Sequence, residues 1–249
     1  MPTLRTALAL AVTLFAATLG GQARAGDWED CRDKSGEPAI RACSAVIANN
    51  PKDAGAFNNR GYEHNAKGEL DLAIADYDKA IAVKPDYAEA FNNRGIAYKN
   101  KNNVDRAIAD YDRAIALKPD LAEAFYNRGI AYKSKKNIDR AIADYDRTIA
   151  LKPNYASAFN NRGVAYFDKN NLDRAIADYD KAIALKPDFA EAFNNRGAAY
   201  RNKNNFDRAI ADYDRAIALK PHYDIARSNR AIAVEARDKA KTPAAASPR

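Results

Sequence analysis

The sequence predicts an all-α protein, a solenoid of antiparallel helix pairs, and three observations predict it. Prolines fall at Pro51, Pro85, Pro119, Pro153, Pro187 and Pro221, with every gap 34 residues. Gly61, Gly95, Gly129, Gly163 and Gly197 keep that period, as do Phe57, Phe91, Phe125, Phe159 and Phe193. Each unit also holds two stretches with helical apolar spacing. In 105–118 the apolar set is Ala107, Ile108, Tyr111, Ala114, Ile115 and Leu117, one face of an amphipathic helix.

The elements follow in chain order. Residues 1–25 read as a secretory signal peptide cleaved after Ala25: Arg5 precedes the apolar run 7–19, and Ala23-Arg24-Ala25 has the small-x-small form of a cleavage site. That run of 13 residues is too short, at ~1.5 Å per residue, to cross a hydrocarbon layer of ~30 Å. The mature chain is therefore expected in the periplasm or secreted, with no membrane insertion after cleavage.

Residues 26–53 keep only Pro51 of the repeat and fit two short helices, 27–34 and 37–49, joined by a turn at Ser35-Gly36. This is an expected helical-hairpin cap. The chain's two cysteines, Cys31 and Cys43, lie one on each helix, and an even count in an exported chain suggests a disulfide between them.

Residues 54–223 hold five full units: 54–87, 88–121, 122–155, 156–189 and 190–223. Within a unit, Asn102-Asn103 separates the two helices, because Asn tolerates the left-handed backbone that follows a helix end. Asp105 suits the first turn of the second helix, and Pro119 ends that helix and can open the next. Small Gly95 and Ala107 let the paired helices approach to about 8–10 Å, while Tyr98 and Tyr111 fill the space around them. Residues 224–241 read as a first helix without a partner, a charged C-terminal capping helix, and 242–249 as a disordered tail with Pro243 and Pro248.

The pattern Phe91, Gly95, Tyr98, Ala107, Tyr111, Ala114 and Pro119 resembles the tetratricopeptide repeat (TPR). The resemblance covers all five units. It implies a right-handed solenoid whose first helices line a concave surface for protein ligands; five units make an open cradle rather than a closed tube. Two departures are mild: His64 stands for the first-helix Tyr in the first unit, and Arg60, Arg94, Arg128, Arg162 and Arg196 occupy a place that is often Leu. These arginines are expected to pair with the repeated Asp residues of second helices.

Composition and motifs exclude several functions. Hydrophobic residues make up 47% and charged residues 29%, which fits a folded domain rather than a disordered chain. Without residues 1–25, 38 basic residues face 33 acidic ones, a net charge of +5, and both signs are interleaved throughout. That is a solvated surface and not the one-sided basic face of a nucleic-acid binder. No phosphate-cradling loop, Gly-x-Ser-x-Gly or Cys–His nucleophile pattern occurs, and acids such as Asp110 and Asp112 recur in every unit where a catalytic pair would be unique. No catalytic residue, cofactor or metal site is expected; two thiols are too few for zinc.

Binding remains. Asn59, Asn93, Asn127, Asn161, Asn195 and Asn229 form one column on the first helices. It resembles the asparagine ladder in the groove of O-linked N-acetylglucosamine transferases, which implies amides holding an extended peptide backbone. An Asn amide both donates and accepts, so it can grip a peptide group whatever the side chain. The alternative is that these asparagines cap turns or bond to neighbouring helices. The adjacent column contains Tyr126, a candidate aromatic contact. Lys99, Lys133 and Arg201 give one groove strip a positive charge that would favour an acidic ligand. The expected function is an exported protein-interaction scaffold. A self-assembling solenoid, or an adaptor or chaperone-like subunit of an envelope enzyme complex, are the alternatives; the sequence leaves the oligomeric state open.

Overall fold

A computed structural model describes residues 26–241. The expected signal peptide and C-terminal tail lie outside the described residues. Among the described residues the secondary structure is entirely helical: α1 (Asp27–Asp33), α2 (Glu37–Asn49), α3 (Ala54–Ala66), α4 (Leu70–Val83), α5 (Ala88–Asn100), α6 (Val104–Leu117), α7 (Ala122–Ser134), α8 (Ile138–Leu151), α9 (Ala156–Asp168), α10 (Leu172–Leu185), α11 (Ala190–Asn202), α12 (Phe206–Leu219) and α13 (Asp224–Lys241). Five antiparallel pairs, α3–α4 to α11–α12, stack between the α1–α2 hairpin and α13.

Local chemistry sets the boundaries. Asn102, Lys136, Asn170 and Asn204 take φ values of 57–61°, and Gly68 takes 79° in the first pair. These left-handed residues turn the chain from first helix to second. The next residue caps the second helix: Asn103, Asn137, Asn171 and Asn205 each accept a backbone N–H three residues on, as from Arg106 to Asn103 at 3.3 Å. Pro119 does not open α7. It lies in the turn after the Lys118 C-cap, and α7 begins at Ala122, so the proline only stops the helix before it.

The tightest packing is between a glycine and a tyrosine of the same pair. A Cβ on Gly95 would lie 2.6 Å from Cε1 of Tyr111, and the same collision recurs at Gly61, Gly129, Gly163 and Gly197. The five tyrosines Tyr77, Tyr111, Tyr145, Tyr179 and Tyr213 are fully buried and reach the next first helix at Ala97, Ala131, Ala165, Ala199 and Ala233. One side chain thus cements both the pair and the stack. The α1–α2 hairpin is closed by the Cys31–Cys43 disulfide and held onto α3 by Glu63, whose carboxylate accepts the Gly36 N–H at 2.6 Å.

Candidate binding groove

Neighbouring first helices touch one another along the whole stack, α1 to α3 and on to α13, whereas neighbouring second helices do not. The stack therefore bends around its first helices, and their exposed line is the inner, concave side.

The asparagine column lies on this inner seam, each member half-buried on its own helix. The amides pair across it. Asn93 donates to Asn58 Oδ1, Asn127 to Asn92, Asn195 to Asn160 and Asn229 to Asn194, each at 3.0 Å. Asn58, Asn92, Asn160 and Asn194 in turn donate to their sequence neighbours Asn59, Asn93, Asn161 and Asn195 at 3.2–3.4 Å. The bonding to neighbouring helices considered above is thus present. It uses one N–H of each interior member, and a lone pair of Asn93, Asn161 and Asn195 but not of Asn127, so each keeps a second N–H for a ligand. The four asparagines of the second column, Asn58, Asn92, Asn160 and Asn194, are buried and are half of the network. Its 34-residue period was visible in the sequence; the 35-residue offset of the bonds was not, because it depends on helix register.

Tyr126 interrupts the network. Its ring packs on Tyr155 at 4.8 Å and Tyr145 at 6.1 Å, and its hydroxyl accepts from Asn161 at 3.0 Å, in the place of a ladder amide. The cationic strip divides. Lys133 lies 3.3 Å from Asp168 of the next first helix, while Lys99 and Arg201 make no ion pair with any described residue.

The arginine column is structural. Arg94 grips Asp110 on α6 with two bonds of 2.7 and 2.8 Å and Asp78 on α4 with a third of 2.6 Å. Arg128, Arg162 and Arg196 repeat this, so each arginine ties its own second helix to the preceding one. The hydrogen bonds to Asp110 hold the Arg94 guanidinium further above its ordinary range. Arg60 replaces the preceding Asp with Ser44 of the cap, at 3.0 Å. Between the stacks, lysines of the turns meet acids of the preceding unit, as in Lys101–Asp71 and Lys203–Asp173.

Burial pushes the phenols of the five core tyrosines up, that of Tyr213 to about 12 and the others further. The hydroxyls of Tyr77, Tyr111, Tyr145 and Tyr213 make no hydrogen bond to the protein. Among the described residues no three His, Cys, Asp or Glu side chains gather as a metal site, and no helix is long and apolar enough to cross a membrane.

Geometry and repeat together define an α-solenoid repeat scaffold. The sequence matches the family described as TPR repeat over residues 61–102, 97–136 and 165–203, and that described as tetratricopeptide repeat over 122–155 and 190–223. The chain belongs to the tetratricopeptide repeat family. Among solved structures it is similar to YrrB, described as a TPR protein with an unusual peptide-binding site, at 25% identity and a TM-score of 0.62, covering 78% of this chain and 100% of that one. It is similar to MamA at 30% identity and a TM-score of 0.60, covering 65% and 94%. A tetratricopeptide repeat protein from Parabacteroides merdae ATCC 43184 shares the fold at 21% identity, with a TM-score of 0.59 and coverage of 79% and 77%. No curated protein matches the chain. Proteins of this family generally bind other proteins, and the repeat fold is typically a scaffold rather than a catalyst.

Proposed function

We propose that the mature chain is an exported scaffold that grips an extended segment of a partner protein in its inner groove. The observation that carries this is the file of amides on α3 to α13, each interior one retaining an uncommitted N–H after its mutual bonds are made. First helices stacked about 10 Å apart place one rung per three residues or so of an extended ligand at ~3.3 Å each. That YrrB is described as having a peptide-binding site supports peptide binding by a repeat of this kind. Lys99 and Arg201 add preference for an acidic side chain or a free carboxylate. Export rests on residues 1–25 and on the disulfide, which suits an oxidising compartment.

The test separates gripping from stitching. Binders are selected from a randomised linear peptide display library on the protein of residues 26–249, and two variants are compared by affinity and circular dichroism. One carries Asn93, Asn127, Asn161 and Asn195 all changed to Ala; the other carries Asn58, Asn92, Asn160 and Asn194 changed to Ala, which breaks three of the same inter-helix bonds, and that of Asn229 in place of the Asn161–Tyr126 bond, but leaves the groove column. Loss of affinity in the first and its retention in the second, at equal helicity, supports the reading. Equal affinity in both, or equal loss in both, overturns it.

A further inference from the structure

The inner face has one end that departs from the repeat in three places at once. In the second to fifth units the start of the first helix carries Glu89, Glu123, Ser157 and Glu191; the first unit has Gly55. The next column is Ile96, Ile130, Val164 and Ala198, half-buried; the first unit has Tyr62, 57% exposed. Against Gly55 lies Trp28 of α1, the only tryptophan of the chain, 42% exposed, its Cη2 only 2.9 Å from where a Cβ on Gly55 would sit. A side chain at position 55 would evict the indole. The chain thus keeps two aromatic rings in solvent on one face of α3, where interior units place acids and aliphatics.

Between the rings sits Asn59. Positions 55, 59 and 62 recur at helical spacing on one face. Asn59 is the first of its column, with no preceding asparagine to bond. Its Oδ1 accepts from Asn58 at 3.4 Å, but its amide hydrogens are given to no described group, unlike those of Asn93 or Asn127. Gly55 and Tyr62 are seven residues apart, about 10 Å along the helix axis. A polyproline II segment repeats every three residues, ~9.3 Å, and leaves its carbonyls unbonded. Prolines at i and i+3 of such a segment would match this spacing along α3, and the carbonyl between them would match the Asn59 amide. Residues 26–37 carry five acids and two bases in a protein of net charge +7; Asp30, Asp33 and Glu37 are paired with Lys34, Arg32 and Lys67, so the residual negative charge at this end is small.

We infer that Trp28, Asn59 and Tyr62 form a docking site for a proline-rich segment, separate from the interior amide file. The single tryptophan reports on it directly. The probe is an amidated hexaproline peptide with one N-terminal arginine, titrated against the protein of residues 26–249 while Trp28 emission is recorded. A glycine–serine peptide of the same length and charge, and chitotetraose, serve as comparisons. The expected result is a saturable blue shift with the proline peptide alone, weakened about tenfold in Tyr62→Ile. That variant installs the residue of the second and third units, so folding is not at issue. The quadruple Ala variant of Asn93, Asn127, Asn161 and Asn195 should keep the response, which separates this site from the peptide groove. An unmoved emission, an equal response to glycine–serine, or unaltered affinity in Tyr62→Ile overturns the inference. So does a response to chitotetraose without one to the proline peptide, which would make the rings a sugar platform.

Discussion

The interior pairs and the two ends are built from the same repeat, yet they hold together differently. In an interior pair every contact is used twice. Tyr111 packs on Gly95 and reaches Ala131 of the next unit; Arg94 holds Asp110 and also Asp78 of the unit before. At the C-terminal end half of each contact is missing. Among the described residues Arg230 of α13 meets only Asp214, both exposed, and Ala231 and Arg227 stand where the interior units have Gly and Phe. At the N-terminal end the missing half is replaced by special chemistry: a disulfide, the Glu63–Gly36 bond, and the Lys67–Glu37 ion pair. The difference teaches that stability in this molecule resides in couplings between units as well as within them. An interior lesion uncouples two neighbours, while a terminal lesion only frays one edge.

Three experiments sharpen the comparison, beginning with the largest effect. Alkali should unfold the stack through its core tyrosines. Below about pH 10 these phenols are neutral in both the folded and the unfolded chain, so stability is intact. Above it the unfolded phenols ionise while the buried ones, whose pKa is raised, stay neutral. Each tyrosine then withdraws about 1.4 kcal/mol per pH unit until its folded pKa is passed. Tyr213, pushed up only to about 12, should yield before Tyr111 and Tyr145. Absorbance at the phenolate band, followed beside ellipticity, checks this; core tyrosines that titrate fully before any helix is lost would break the argument.

Next come the arginines. Arg94→Met leaves Asp110 buried without its partner and should cost about 3 kcal/mol in urea unfolding, whereas Arg230→Met should cost less than ~1 kcal/mol because its pair is exposed. Equal costs would mean that the ends are coupled as firmly as the middle. The smallest effect is expected from the glycines. Gly129→Ala sets a Cβ 2.7 Å from the buried Tyr145 ring and should lower stability by about 2 kcal/mol despite a better helix former. Gly55→Ala meets the far edge of the exposed Trp28 indole, which can move aside, and more loosely, at 3.3 Å, the Asp53 side chain that caps α3, and should be neutral within ~1 kcal/mol while shifting Trp28 emission.

Much of this was legible in the sequence, for reasons the residues make plain. A period copied through Pro, Gly and Phe fixes helix length and pair spacing in the five units, so their helix pairs, such as α5 and α6, could be placed by pattern alone. The arginine–aspartate pairing was readable because both partners recur in every unit; that each arginine also reaches back to the preceding unit was not, since it depends on the angle between pairs. The asparagine column was readable as a column. Its mutual bonding was not, because residues 35 apart meet only once first helices are set side by side. The same offset hid the capture of Lys133 by Asp168. Trp28 belongs to no repeat, and a singular residue leaves no periodic trace of where it will lie.

The touching of first helices, with second helices held apart, has a mechanical consequence. A stack joined along one edge and open along the other is a leaf spring. It resists shortening at the inner seam, where amides already meet, and yields at the outer edge, where ion pairs of the turn lysines and of arginines such as Arg94 with Asp78 span the gap between units. Opening the outer edge narrows the groove, and closing it widens the groove, with little loss of buried surface. The bore of such a cradle is thus set by the angle between pairs and not by the packing inside them.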